Sequence, residues 1–99
     1  MIIKRTEVFT KWFKKLAMNI QVELLGHINK LADGKFASSS SVGEGIHELR
    51  IYFQKGYGIY WTNINGEIII LLCGGTKGGN QKQQQIDIAK AKEIKRNLA

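Results

Sequence analysis

The feature that most constrains this chain is the run from Glu67 to Cys73, where Ile68, Ile69, Ile70, Leu71 and Leu72 follow one another without alternation. A strand apolar on both sides has to lie between two layers, because either face left in water would expose a row of branched side chains. Turn signals bound it, Asn63-Ile64-Asn65-Gly66 before and the glycine-rich stretch Gly74 to Asn80 after. Upstream, Ile46 to Gln54 alternates. His47, Leu49, Ile51 and Phe53 share one side, and Ile46, Glu48, Arg50 and Tyr52 share the other, which reads as a strand with a polar outer face. Past the turn signal Lys55-Gly56, Tyr57, Ile59 and Trp61 form one face of a second strand and Gly58, Tyr60 and Thr62 the other. The spacing predicts a three-stranded antiparallel meander.

Ahead of the meander the apolar period changes from two to that of a helix. Phe9, Trp12, Phe13, Leu16, Ile20, Leu24, Ile28 and Leu31 recur at intervals of three and four. Thr10 reads as the first N-cap, Asn19 as a second, and Asp33-Gly34 as a helix end, which gives helices over 10–18 and 20–32. A short strand from Ile2 to Val8 precedes them. Lys35 to Gly45, with four consecutive serines, reads as an exposed connection. Gln83 to Leu98 reads as a basic helix burying Ile86, Ala89, Ile94 and Leu98. The expected order is strand, helix, helix, three antiparallel strands, helix: an α+β sandwich with helices on one face of a sheet. Ninety-nine residues suit one domain spanning 1–99.

The net charge of +7 is unevenly placed: +4 over residues 1–35, −1 over 36–76 and +4 over 77–99. If the two ends meet, they make one surface suited to a polyanion, RNA or DNA being the usual one; otherwise the charge is a solvated coat. The single cysteine, Cys73, sits in an apolar run and reads as a buried thiol. With His27 and His47 the only histidines, no metal site is expected, and no cofactor motif is present: the lysine of the glycine-rich stretch lacks the spacing of a nucleotide-triphosphate loop. No run approaches a membrane span and the amino terminus lacks a secretory signal, so a cytoplasmic protein with no membrane contact is expected.

Several blocks, taken together, carry a resemblance: Lys11-Trp12, Gly43-Glu44-Gly45, Glu48-Leu49-Arg50-Ile51, Gly56-Tyr57, Ile59-Tyr60, Leu71-Leu72, Gly74-Gly75-Thr76-Lys77 and Asp87-Ile88-Ala89-Lys90-Ala91. In this order and spacing, from about residue 8 to 95, the chain resembles the RelE/HigB-like toxins, the addiction-module killer branch of the RelE/ParE superfamily. The resemblance implies a microbial-ribonuclease-like fold and the toxin of a type II toxin–antitoxin system. It also implies neutralisation by a helix-turn-helix antitoxin and cleavage of messenger RNA on the ribosome. Two other readings of the same fold stay open: a ParE-like inhibitor of DNA gyrase that cuts nothing, and a decayed toxin that only binds its antitoxin. The decayed reading has a specific motive, since that family usually carries arginine where this chain has Gly58.

Metal-independent RNA cleavage activates the ribose 2′-hydroxyl against its own phosphate and needs a proton acceptor, a cation on the phosphate and a donor for the leaving oxygen. The expected catalytic set is Arg50, Lys77, Tyr60 and Glu48. Arg50, on the outer strand face, suits a two-point grip on phosphate, its bland alternative being an ion pair with Glu48 or Glu67. Lys77 supplies a point charge from the loop after the buried strand, or is a solvated lysine. Tyr60, expected on the outer face, offers a ring to stack on a base or a hydroxyl to the backbone. Glu48 beside Arg50 is a weak base and a better orienter. Lys11, Lys82 and Lys90 are the expected RNA-binding cations, and His47 is read as structural.

Overall fold

Ile68–Thr76 forms β5, and as its composition demands it lies inside the sheet, between a parallel neighbour and an antiparallel one. The structure is a computed structural model and describes residues 1–78 and 80–98; Gly79 of the glycine-rich stretch lies outside the described residues. The chain runs β1 (Ile2–Arg5), α1 (Glu7–Lys14), α2 (Met18–Ala32), β2 (Ser39–Gly43), β3 (Ile46–Ile51), β4 (Tyr57–Ile64), β5 and α3 (Gln81–Arg96). The sheet has five strands in the order β1-β5-β4-β3-β2, with β1 parallel to β5 and the other pairs antiparallel. The α+β class and the β3–β4–β5 meander are as the pattern predicts.

Helices cover both faces, not one. On the first face, α1 and α2 bury Phe9, Phe13, Leu24 and Ile28 against Leu49, Ile59, Trp61 and Leu71. On the second, Ile46, Tyr60, Leu72 and Cys73 are buried with Ala91 of α3, flanked by Ile88 and Ile94. The physical reason is β5 itself: with both of its faces apolar, one helical layer would leave half of it in water. The buried stripe of α3 accordingly runs through Asp87, Ile88, Ala91 and Ile94, while Ile86 and Ala89, expected inside, are exposed.

Local boundaries also differ from expectation. Thr6, not Thr10, caps α1: its Oγ1 accepts from Phe9 N at 3.1 Å and donates to Leu72 O at 2.6 Å, so one hydroxyl starts the helix and ties it to β5. The first strand therefore stops at Arg5, and Val8 belongs to the helix. Asn19 lies inside α2, whose N-terminal boundary is Ala17 with no side-chain cap, whereas Asp33 and Gly34 end α2 as expected. The serine-rich connection contains an edge strand, β2, paired through Ser39↔Leu49 and Ser41↔His47, and Trp61 Nε1 donates to Ser39 Oγ at 3.1 Å. The Asn65-Gly66 pair joins β4 to β5 with φ of 56° and 72°, the left-handed values a tight hairpin needs. β3 ends at Ile51, which leaves Tyr52 to Gly56 as the turn into β4.

Candidate functional site

The cover supplied by α3 turns the expected polar outer face into a buried polar centre. Glu48 of β3 has no exposed side-chain surface, and side chains from four residues converge on its carboxylate. Tyr60 Oη donates to Oε2 at 2.7 Å from the paired position on β4, and Arg50 Nε donates to Oε1 at 2.9 Å from the same side of β3. Gln84 Nε2 of α3 reaches both oxygens at 3.0 and 3.2 Å, and Lys77 Nζ, just past β5, donates to Oε2. Asn80 fixes that reach by capping α3: its Oδ1 accepts from Lys82 N at 3.0 Å and Gln83 N at 3.3 Å.

The electrostatics derive from this packing. Burial pushes Glu48 upward, but hydrogen bonds from Lys77, Arg50 and Tyr60 outweigh it and hold the carboxyl below its ordinary value. Glu48 is thus an ionised acceptor with its lone pairs engaged, a group built to position others. Tyr60 is driven the opposite way by burial and by the neighbouring carboxylate, so it stays a neutral donor. The Glu48 hydrogen bond, and after it Tyr52, raise the proton affinity of Arg50, whose charge is permanent. Asp87, buried on α3, is raised chiefly by desolvation.

Three glycines make room for this arrangement. A Cβ on Gly58 would lie 3.0 Å from Lys77 Cε, 3.2 Å from Glu48 Oε2 and 3.3 Å from Tyr60 Oη, so the bare backbone there is what lets lysine and tyrosine meet the carboxylate. A Cβ on Gly75 would fall 2.0 Å from Asp87 Oδ2, and one on Gly74 would fall 2.2 Å from the Trp12 ring. The neighbouring glycines thus seat α3 on one face and α1 on the other. An irregularity in the β4–β5 pairing, between Tyr60↔Cys73 and Trp61↔Leu71, places both Leu72 and Cys73 in the second core and shifts the parity of Gly74 and Gly75 beyond them.

Outward from Glu48 the surface is open. Arg50 keeps 47% of its side chain exposed and Lys77 21%, and both border a groove of about 300 Å³ that is also lined by Tyr52, Gln81 and Gln84. Adjoining depressions lie toward Ser38–Ser40 and toward Lys55, and Tyr52 borders all three.

Of the expected catalytic residues, Arg50, Lys77, Tyr60 and Glu48 all meet. Two do so differently from expectation: Tyr60 is fully buried in the second core and has no face to offer a base, and Lys77 is held at Glu48 instead of waving in a loop. The expected alternative for Arg50, an ion pair with Glu48, is present, yet about half of the side chain remains open. The RNA-binding lysines separate. Lys82 and Lys90 are exposed on α3, while Lys11 is on α1, against the opposite face, paired with Glu7 at 3.2 Å. The three expected RNA-binding lysines therefore do not share one face. Part of the charge on α3 is engaged by the β2–β3 turn, where Glu44 binds Arg96 at 3.0 Å and Lys92 at 3.5 Å. His47 stacks on Trp61 with centroids 4.5 Å apart and is structural. Sequence reasoning misses Gln84 and Tyr52. Tyr52 carries a signal, an aromatic following Glu48 and Arg50 on the same side of the pattern; Gln84, one of several glutamines opening a helix, carries none. Among the described residues no group of three or more His, Cys, Asp or Glu side chains is placed to hold a metal ion, and no helix is long and apolar enough to cross a membrane.

Residues 11–96 match the family described as phage-derived protein Gp49-like. An uncharacterized protein of Haemophilus influenzae is 39% identical over 97 residues, covering 97% of this chain and 94% of that one. Among solved structures, a mutant of the E. coli toxin RelE in the free state superposes with a TM-score of 0.70 at 15% identity, covering 98% of this chain and 97% of that chain. The E. coli RelBE toxin-antitoxin complex gives a TM-score of 0.65 at 13% identity over 76% of this chain and 94% of the other. At these identities the structural likeness is one of fold.

Proposed function

The chain belongs to the phage-derived Gp49-like family and has the fold of the RelE toxin, and from that premise we propose that it is the toxin of a type II toxin–antitoxin pair, cutting messenger RNA on the ribosome. One observation supports the catalytic part above the rest. A buried carboxylate holds a guanidinium and an ammonium side by side at the lip of an open groove, which is the arrangement needed to grip a phosphodiester and stabilise charge as it builds there.

In this reading Arg50 binds the scissile phosphate through the amino groups that Glu48 leaves open, and Lys77 adds a second positive charge beside it. The ribose 2′-oxygen bonds to phosphorus as the bond to the 5′-oxygen breaks, leaving a cyclic phosphate and a 5′-hydroxyl. The proton leaves the 2′-hydroxyl and one is delivered to the departing oxygen. Glu48, fully engaged, positions the cations; Tyr60 and Gln84 position Glu48. The groups that carry protons come from the ribosome, which makes cleavage ribosome-dependent. Lys82 and Lys90 extend contact along the RNA backbone. The antitoxin, a protein with a helix-turn-helix domain, blocks the toxin until it is lost.

The test is cell-free translation of one defined message with the purified protein, with cuts mapped by primer extension and naked RNA run in parallel. Cuts confined to translated message, and absent with Arg50→Ala, are expected. Intact message together with loss of gyrase supercoiling would replace this reading with gyrase inhibition.

A further inference from the structure

We infer that Tyr52 is a stacking platform for an unpaired nucleobase of single-stranded RNA, set beside the phosphate held by Arg50 and Lys77; this rests on the proposed RNA cleavage. Tyr52 is 87% exposed, the highest of the exposed large hydrophobic residues among the described residues, and it stands on the turn after β3 away from both cores. Single exposed aromatics are ordinary on a protein surface, so exposure alone assigns nothing; what surrounds this ring does. The depressions that meet at Tyr52 are lined by Arg50, Lys77 and Lys55, which places the ring among three cations.

Arg50 and Tyr52 line the same two depressions, so the base attached to a phosphate on Arg50 comes beside the Tyr52 ring. Every base has a π-face, so such a ring holds RNA with little sequence preference, while nearby Lys55 meets the adjacent phosphate. On the other side of the ring, Ser38 and Ser40 are exposed and offer hydroxyl groups to the edge of a stacked base.

The test uses the full chain and a fluorescein-labelled octamer of riboadenosine, alongside an octamer of the same backbone with abasic sites. Tyr52→Ala should weaken octamer binding about ten- to a hundredfold, with the salt dependence unchanged. Tyr52→Phe should keep most of the affinity, and Tyr52→Trp should bind with quenching of the new indole that the abasic octamer does not produce. Arg50→Ala should instead flatten the salt dependence by roughly one phosphate's worth. Affinity of Tyr52→Ala within twofold of the parent, while Arg50→Ala still loses binding, would overturn the platform and leave the proposed RNA cleavage standing. Failure of the parent protein to bind the riboadenosine octamer would overturn the platform alone, because the proposed cleavage acts on ribosome-bound message and is read by the translation assay.

Discussion

Replacing Glu48 by alanine removes the acceptor on which Tyr60, Arg50, Lys77 and Gln84 converge, and the cost can be worked from their exposure. The Tyr60 hydroxyl, fully buried, loses its carboxylate, which costs about 1–3 kcal/mol. Arg50, about half exposed, rehydrates at small cost, whereas Lys77 recovers water less completely. With the void left by the side chain, the total is about 3–5 kcal/mol, the range for removing one partner of a buried pair. At a urea slope near 2 kcal/mol/M this lowers the unfolding midpoint by roughly 2 M. The sign of the pH dependence comes from Glu48 lying below its ordinary value of 4.5 when folded. The unfolded chain then takes up a proton first as pH falls, so the contribution is fully present above 4.5 and is lost as pH drops through the folded value. The gap between parent and Glu48→Ala midpoints should be constant from pH 8 to 6 and narrow below 4.5, the part due to the void remaining. A gap under 0.5 M, or one that stays constant down to pH 3, would refute the reasoning.

Other consequences follow from the packing around Gly75, Cys73 and Gly58. Gly75→Ala places a Cβ against Asp87 and should lower thermal stability by about 1–3 kcal/mol, read as a fall in melting temperature; adding Asp87→Ala should restore part of it. Burial pushes the Cys73 thiol up to about 12, so it should ignore a thiol reagent at pH 8 in the native protein and react fully in denaturant. Gly58→Arg would crowd Lys77, Glu48 and Tyr60, so growth arrest on expression should fall or stay level; a strong gain would mark the site as decayed through loss of that arginine.

The strands that pack by their own pattern were legible. Leu49 and Ile51 on β3, Ile59 and Trp61 on β4, and the unbroken run of β5 each follow from periodicity of two or its absence, and the first core is where that parity puts it. What covers the second face was not. Ile46 and Tyr60 share their side with Glu48 and Arg50, a mixture that locally reads as a wet surface. The cover, α3, turns Gln84 and Asp87 inward ahead of Ile88, Ala91 and Ile94, so the first turns of its inner stripe read as solvent-facing. β2 escaped because serine favours turns, and its pairing is decided by β3 and by the Trp61 indole, well apart in sequence. The irregularity at Leu72 and Cys73 inverts the parity of the glycines beyond it, and alternation cannot show an extra residue. Of the candidate site, the four residue types were readable from chemistry; their convergence on one buried carboxylate depended on α3 and on the space at Gly58.

The central claim is that Arg50 and Lys77, brought together by Glu48, act on one phosphate. It is tested most directly by the single-turnover cleavage rate of a ribosome-bound message with the parent protein, Arg50→Ala, Lys77→Ala and Lys11→Ala. Loss of about 10²-fold or more is expected for the first two variants, the scale for removing one stabiliser of developing charge. Lys11→Ala, altered on the opposite face, should stay within about twofold on that scale. Unchanged rates for Arg50→Ala and Lys77→Ala in folded protein would contradict the account.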